Sequence, residues 1–338
     1  MHREAEFVEL LKGKGLGEAE IASSLRTVEG LGGALAAGGS SLEKPDLAAV
    51  ESWISERLAA GESAMDILLP LARYFAAARE PAMAIRILAY LSPVGVLPAM
   101  SERLAALEGG PTRDRVMAGV AIPPEGSPPE AYPEATARFV ERLADELGED
   151  AAGRALAWNV HGIPPEAFAE ERTRFLELGS IDAWLADYHR RQVEILKRHA
   201  EDGTLWFEQK ITGAVVDFVR DRQEIMSGVR VGDTIYMTKI PYDPDRYLAA
   251  SDPLERRRLA CHCPLAVSSI TEKGAGVPPL WCACSAGYTK FRFDVVFGEE
   301  TEASVVSSVL AGDEVCRFAI KIPDSLARGL AQPARGGD

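Results

Sequence analysis

Through the first 108 residues the apolar positions recur every three or four residues, the period of a helix with one buried face. In DLAAVESWISERLAAG, Leu47, Val50, Ile54 and Leu58 keep that spacing between Pro45 and Gly61. The next stretch, SAMDILLPLARYFAAAREPAMAIRILAYLSPVGVLPAMSERLAALEGG, predicts three further helices broken near Pro81, Pro93 and Gly109. Helix, short turn and helix in succession predict a bundle or a short solenoid-like array, without a fixed-period repeat. Residues 109–133 are rich in proline and glycine and predict a linker with one apolar patch, Val116–Ile122. A second helical series follows. EATARFVERLADELG ends at Gly148, PPEAFAEERTRFLELG opens on prolines, and SIDAWLADYHRRQVEILKRHAEDG opens on Ser180 as its N-cap. TLWFEQKITGAVVDFVRDRQEIMSG is expected to close the helices at Gly228.

After Gly228 the pattern becomes that of strands. VRVGDTIYMTKIPY has a Gly-Asp turn and an alternating run from Ile235 to Ile240. EASVVSSVLAGDEVCRFAIKIP predicts a hairpin turning at Gly312-Asp313, and SAGYTKFRFDVVFG predicts a helix from Ser285. The expected class is α+β: a helical domain over 1–108, a linker over 109–133, and helices plus a cysteine-rich α+β domain with antiparallel strands over 134–325. A frayed tail is expected over 326–338.

Composition narrows the function. A net charge of −14 with only short basic runs, at 189–191 and 256–258, excludes a phosphate-binding face, so no nucleic-acid partner is expected. No continuous apolar run reaches the roughly 20 residues of a membrane span. The opening MHREAEFVELLKGKG carries acids and no apolar core of the signal-peptide kind. A cytoplasmic chain with no membrane partner is expected; a homo-oligomer is compatible with the sequence.

The chemistry concentrates late. No cysteine precedes residue 261, and all five fall at Cys261, Cys263, Cys282, Cys284 and Cys316. In a reducing compartment such clustering points to metal ligands or reactive thiols rather than disulfides. Residues i and i+2 share a face when extended, so each Cys-x-Cys pair can act on one centre, with His262 directed away. Both pairs are expected just before a helix, with Pro264 in a first turn and Ser285 as a cap, where the helix N-terminus favours the thiolate. Two pairs supply a four-thiolate zinc site, with iron as the alternative; a fifth thiol, Cys284 or Cys316, is then spare.

The segment WCACSAGYTKFRFDVVFGEETEASVVSSVLAGDEVCRFAIKIP, 281–323, resembles the C-terminal part of the vinyl-reductase-type small-molecule-binding domain and the related aminothiazoline carboxylate hydrolase family. Sensor members of the first family hold a structural zinc with cysteines of this region, and the resemblance implies Cys282 and Cys316 as ligands. Those sensors have a further cysteine where this chain has Ser308, and an acid where it has Val305. Cys261 and Cys263 are then expected to complete the site. The string TKIPYDPDRYLAASDPLERRRLACHCPLAVSSI with WCACSAGYTK also resembles bacterial proteins of unknown function over 130–323, which imply no activity.

Lys239, Tyr242 and Arg246 precede the first pair and suit an anionic ligand; the plain alternative is a proline-rich turn leaving a strand. Glu208, beside Trp206 and Phe207, is a candidate base if helical, and His161 and His189 are more simply structural or solvated. Two functions are therefore expected. One is a metal-binding module with a small-molecule pocket. The other is a hydrolase of a small C–N or C–S substrate, using metal-bound water or the thiolate of Cys284 near His262. An interaction scaffold is a third.

Overall fold

The computed structural model describes residues 2–326 of the 338-residue chain, so the expected tail lies, beyond Leu326, outside the described residues. The class is α+β, with fifteen α-helices and three small antiparallel sheets among the described residues. The chain divides into two compact units that interleave in sequence.

The first unit takes Met1–Gly95, Pro123–Tyr132 and Thr204–Lys210. It contains α1 (Glu4–Gly13), α2 (Glu18–Ala37), α3 (Leu47–Ala59), α4 (Ala64–Ala77) and α5 (Pro81–Leu91). Asp46 and Ser63 cap α3 and α4 through side-chain oxygens that accept from Ala49 N and Asp66 N. The helical spacing buries Val50 and Ile54 with Phe7, Leu31, Leu68, Leu71 and Phe75 in one core. Tyr74 stands edge-on to Phe7 and donates its hydroxyl to the His2 carbonyl at 2.9 Å, so this core ring keeps its polar end satisfied.

The stretch expected to continue the helices instead forms a tight hairpin, β1 (Leu205–Trp206) and β2 (Gln209–Lys210). Gly203, in the left-handed region, ends the preceding helix, and Phe207 turns the chain at φ +51°. Glu208 therefore sits in a two-residue turn, and its expected helical setting is corrected.

The second unit takes Val96–Ile122, Pro133–Gly203 and Ile211 onward. Its helices begin with α6 (Val96–Glu108) and α7 (Gly110–Met117), so the stretch expected as a linker opens with two helical turns. Next come α8 (Pro133–Leu147), α9 (Glu149–Leu156), α10 (Ala169–Leu178), α11 (Ile181–Asp202) and α12 (Gly213–Arg220). Ser180 caps α11 as expected, accepting from Ala183 N. After β3 (Val229–Val231) and β4 (Thr234–Thr238) come α13 (Pro244–Ala249), α14 (Pro253–Ala260), β5 (Ile270–Thr271) and β6 (Gly274–Ala275). The chain then forms α15 (Cys282–Phe297), β7 (Glu302–Ser307) and β8 (Arg317–Lys321).

The main sheet is antiparallel in the order β3-β4-β8-β7, with Thr238 opposite Arg317 at one end of the β4–β8 pair. The expected β7–β8 hairpin is present, with Gly312 at φ +109° in its connection and a register shift between Val305 and Ser307. Helix α15 packs on β7 and β8 and is buried along most of its length. Its Phe293 and Phe297 meet Trp184 of α11 edge-on at 5.9 and 6.4 Å. Trp184 in turn donates to Glu171 Oε2 at 3.1 Å.

The segment 81–108 is apolar and long enough to cross a membrane by length and composition, with 44% of its most apolar window buried. It consists of α5 and α6, separated by a turn at 92–95.

Candidate functional site

Helix α15 begins at Cys282, not at Ser285, and this changes the second cysteine pair. Residues two apart on a helix point about 200° apart, so Cys282 and Cys284 cannot serve one centre as an extended pair would. Cys282 bonds Ser308 and Cys316 and lies within electrostatic reach of Cys261, whereas Cys284 lies within reach of Cys263. The first pair follows α14 rather than preceding a helix: Cys261 is extended at φ −77°, ψ 119°, and Pro264 lies in a turn. Both of these sulfurs feel the charge of Lys239 and lie within electrostatic reach of Cys316.

Strand register explains why Lys239 is central. One step beyond the Thr238–Arg317 pair, the Lys239 backbone N–H donates to the Cys316 carbonyl at 2.9 Å. Opposed residues on antiparallel strands project from the same face, so the ammonium and the Cys316 sulfur share a side of the sheet. Lys239 Nζ donates to Ser285 Oγ at 3.0 Å and lies 5.7 Å from the centre of the Tyr288 ring. Its charge also reaches His161, His262 and Cys284.

Four of the five cysteines are buried and Cys263 is half-buried. Burial raises the pKa of the Cys261 thiol strongly, and that of Cys284 to about 12. Burial also raises that of Cys263, although Trp281 Nε1–H donates to its sulfur at 3.1 Å. The start of α15 therefore leaves neither of its thiols lowered: burial raises Cys284, and the bond to Cys316, then burial, raises Cys282. Cys316 is the exception. The Cys282 thiol donates to it, the Val309 N–H points at it and Lys239 adds positive charge, so its pKa falls to about 7 against the cost of burial. Cys282, as the donor, is held well above its ordinary range; its sulfur lies 2.9 Å from Ser308 Oγ.

His262 uses Nε2–H to donate to the Ile240 carbonyl at 2.6 Å and stands edge-on to Tyr242, 5.4 Å between ring centres. Burial and Lys239 push its pKa down to about 3, which makes it a neutral imidazole and a weak base. The structure places no hydrogen bond between His262 and Cys284 among the described residues. Tyr242 thus faces His262, whereas Arg246 is exposed and ion-paired with Asp243 at 3.6 Å and Glu255 at 3.3 Å. Of the three expected anion-holding residues, Lys239 alone stands among the thiols. His161 packs edge-on against Tyr288, and His189 is not solvated as expected: it bonds Ser227 Oγ and the Arg220 carbonyl, each at 3.1 Å.

The expected zinc or iron site has its thiols in one region but not in a coordination set. Among the described residues no group of three or more His, Cys, Asp or Glu side chains is placed to hold a metal ion. Cys282 bonds both Ser308 and Cys316. A cavity of 380 Å³ opens on another part of α15, lined by Arg103, Trp158, Lys290, Phe291 and Asp294 among others. It is edged by charged groups rather than being the apolar pocket expected beside the cysteines, and none of the five lines it.

The sequence marks Ser308 only as a departure from a cysteine; its contact with Cys282 depends on how β7 ends. A family model described as a family of unknown function (DUF6144) matches residues 247–327, which span the five cysteines but not Lys239. No curated protein and no solved structure matches the chain.

Proposed function

We propose that the cysteine-rich part of the second unit is a thiolate site in which Cys316 is the nucleophile, acting on a small substrate with an electrophilic carbon bonded to nitrogen or sulfur. The observation that carries this is the Cys316 sulfur held between the Cys282 thiol and the Val309 N–H, on the same face as Lys239. In such a reaction the sulfur bonds to the carbon, and the leaving nitrogen or sulfur departs with the proton of Cys282. Lys239 steadies the negative charge that develops on the substrate, and water then releases the acyl group and restores the thiol. The nucleophile moves from the expected Cys284, whose thiol stays protonated at neutral pH. The test is iodoacetamide labelling of the full chain at neutral pH, with the modified residue located by mass spectrometry. Cys316 labelled first, together with hydrolysis of a chromogenic thioester that Cys316→Ser abolishes, is the expected result. Labelling that begins at Cys284 or Cys261 would remove the basis of this reading.

A second reading keeps the metal. Cys261, Cys263, Cys282 and Cys316 lie within electrostatic reach of one another in part, and four thiolates suit zinc, or iron. It requires the first pair to close on the second. One equivalent of zinc or iron in the purified chain, lost with Cys261→Ser, would support it; metal-free protein with an unchanged melting temperature on adding zinc would end it.

A further inference from the structure

We propose that Cys282 and Cys316 form an oxidisable pair, converted to an intramolecular disulfide by a peroxide, so that the site is switched off by oxidation. This rests on the reading of Cys316 as the reactive sulfur. The geometry singles out this pair. The Cys282 sulfur, in the first turn of α15, lies 2.9 Å from Ser308 at the end of β7 and interacts with Cys316 just before β8, and α15 packs on both strands. Cys282 and Cys284 diverge around the helix, and Cys263 is held by Trp281 Nε1–H. A Cys-x-Cys pair such as Cys261 and Cys263 closes too small a ring for an unstrained bridge. Each sulfur of the proposed pair belongs to a residue 8% exposed, which favours small reagents such as hydrogen peroxide over bulky oxidants.

The chemistry balances with hydrogen peroxide as the oxidant. The Cys316 sulfur attacks one peroxide oxygen, the O–O bond breaks, and Cys316 becomes a sulfenic acid as hydroxide leaves. The Cys282 sulfur then attacks the Cys316 sulfur, the S–O bond breaks, and water departs with the Cys282 proton. Overall two thiols are oxidised and one peroxide becomes two waters. Ser308, 2.9 Å from the Cys282 sulfur, holds that sulfur at the start of α15 by a hydrogen bond.

The full chain is treated with one equivalent of hydrogen peroxide, denatured, labelled with iodoacetamide and digested. The expected product has three labelled cysteines and a 282–316 cross-link that dithiothreitol removes. In Cys282→Ser the same treatment leaves Cys316 as a sulfenic acid captured by dimedone. The wild-type map alone decides the pairing if that variant fails to fold. Five labelled thiols, a Cys263–Cys284 link, or Cys316 carried to sulfinic acid beside a free Cys282 would each overturn the proposal. Fast alkylation of Cys316 without the link defeats this inference alone; the link without alkylation of Cys316 defeats the nucleophile reading.

Discussion

At the scale of single residues, one proton decides the character of the thiols. Burial acts on all five, yet only Cys316 receives a thiol donor, a backbone N–H and a nearby cation together. Replacing Cys282 by serine exchanges its S–H for an O–H set about half an ångström nearer its Cβ, which lengthens the contact with Cys316. Cys282→Ala removes it outright. Thiolate absorbance near 240 nm, followed against pH, is expected to show the Cys316 transition move upward from about 7 in Cys282→Ala, by at least one pH unit. An unchanged transition would mean that Lys239 and Val309 suffice. The sequence made the clustering of these cysteines visible, because their count and spacing are open to inspection. It did not disclose which two would touch. That depends on the register that sets Lys239 beside Cys316 and on the residue at which a helix starts.

At the scale of elements, α15 is the piece that the sequence described least well. Its start carries no side-chain cap: the N-cap is Trp281, after Pro278 and Pro279. Ser285, the first residue of capping type, therefore looked like the beginning, and it lies inside the helix instead. By contrast Asp46, Ser63 and Ser180 all cap the helices they precede; apolar spacing locates α3, the break near Pro81 bounds α4, and the Ser180 cap marks the start of α11. The β1–β2 hairpin escaped detection because two-residue strands show no period and Phe207 is an unusual residue for a left-handed turn. Gly287 marks where α15 meets its neighbour most closely: a Cβ there would collide with the backbone of Ala157 and Trp158. Backbone cannot yield as a flexible side chain does. Gly287→Ala is expected to lower stability by about 3 kcal/mol, read as a fall in the midpoint of urea unfolding, and to disturb the reactivity of Cys282 on the preceding turn.

At the scale of the whole molecule, acid titration should expose how several half-buried groups are fixed in one protonation state. Burial holds His262 down to about 3, and hydrogen bonds from Arg317 and Arg191 hold Glu224 and Asp187 below the ordinary carboxylate range. All three groups bind protons more readily in the unfolded chain, so stability rises with pH across the interval between their folded and unfolded values. For His262 the contribution is complete above about pH 6.5 and is lost as pH falls toward 3, on the order of a few kcal/mol. Thermal melts from pH 7 to pH 4 should show a continuous decline, and His262→Asn should flatten the part of it nearest neutrality. A melting temperature constant down to pH 5 would contradict the buried, neutral imidazole.

The interleaving of the two units carries a consequence for synthesis. The first unit owns residues up to Gly95 but also Thr204–Lys210. A nascent chain therefore cannot assemble that unit in full until 115 more residues, from 96 to 210, have been translated. At ribosomal speeds of about 5–20 residues per second the amino-terminal helices wait on the order of ten seconds for their last strands. During that interval they are a partial structure within reach of chaperones and proteases, and codons that slow the ribosome before residue 210 would lengthen it.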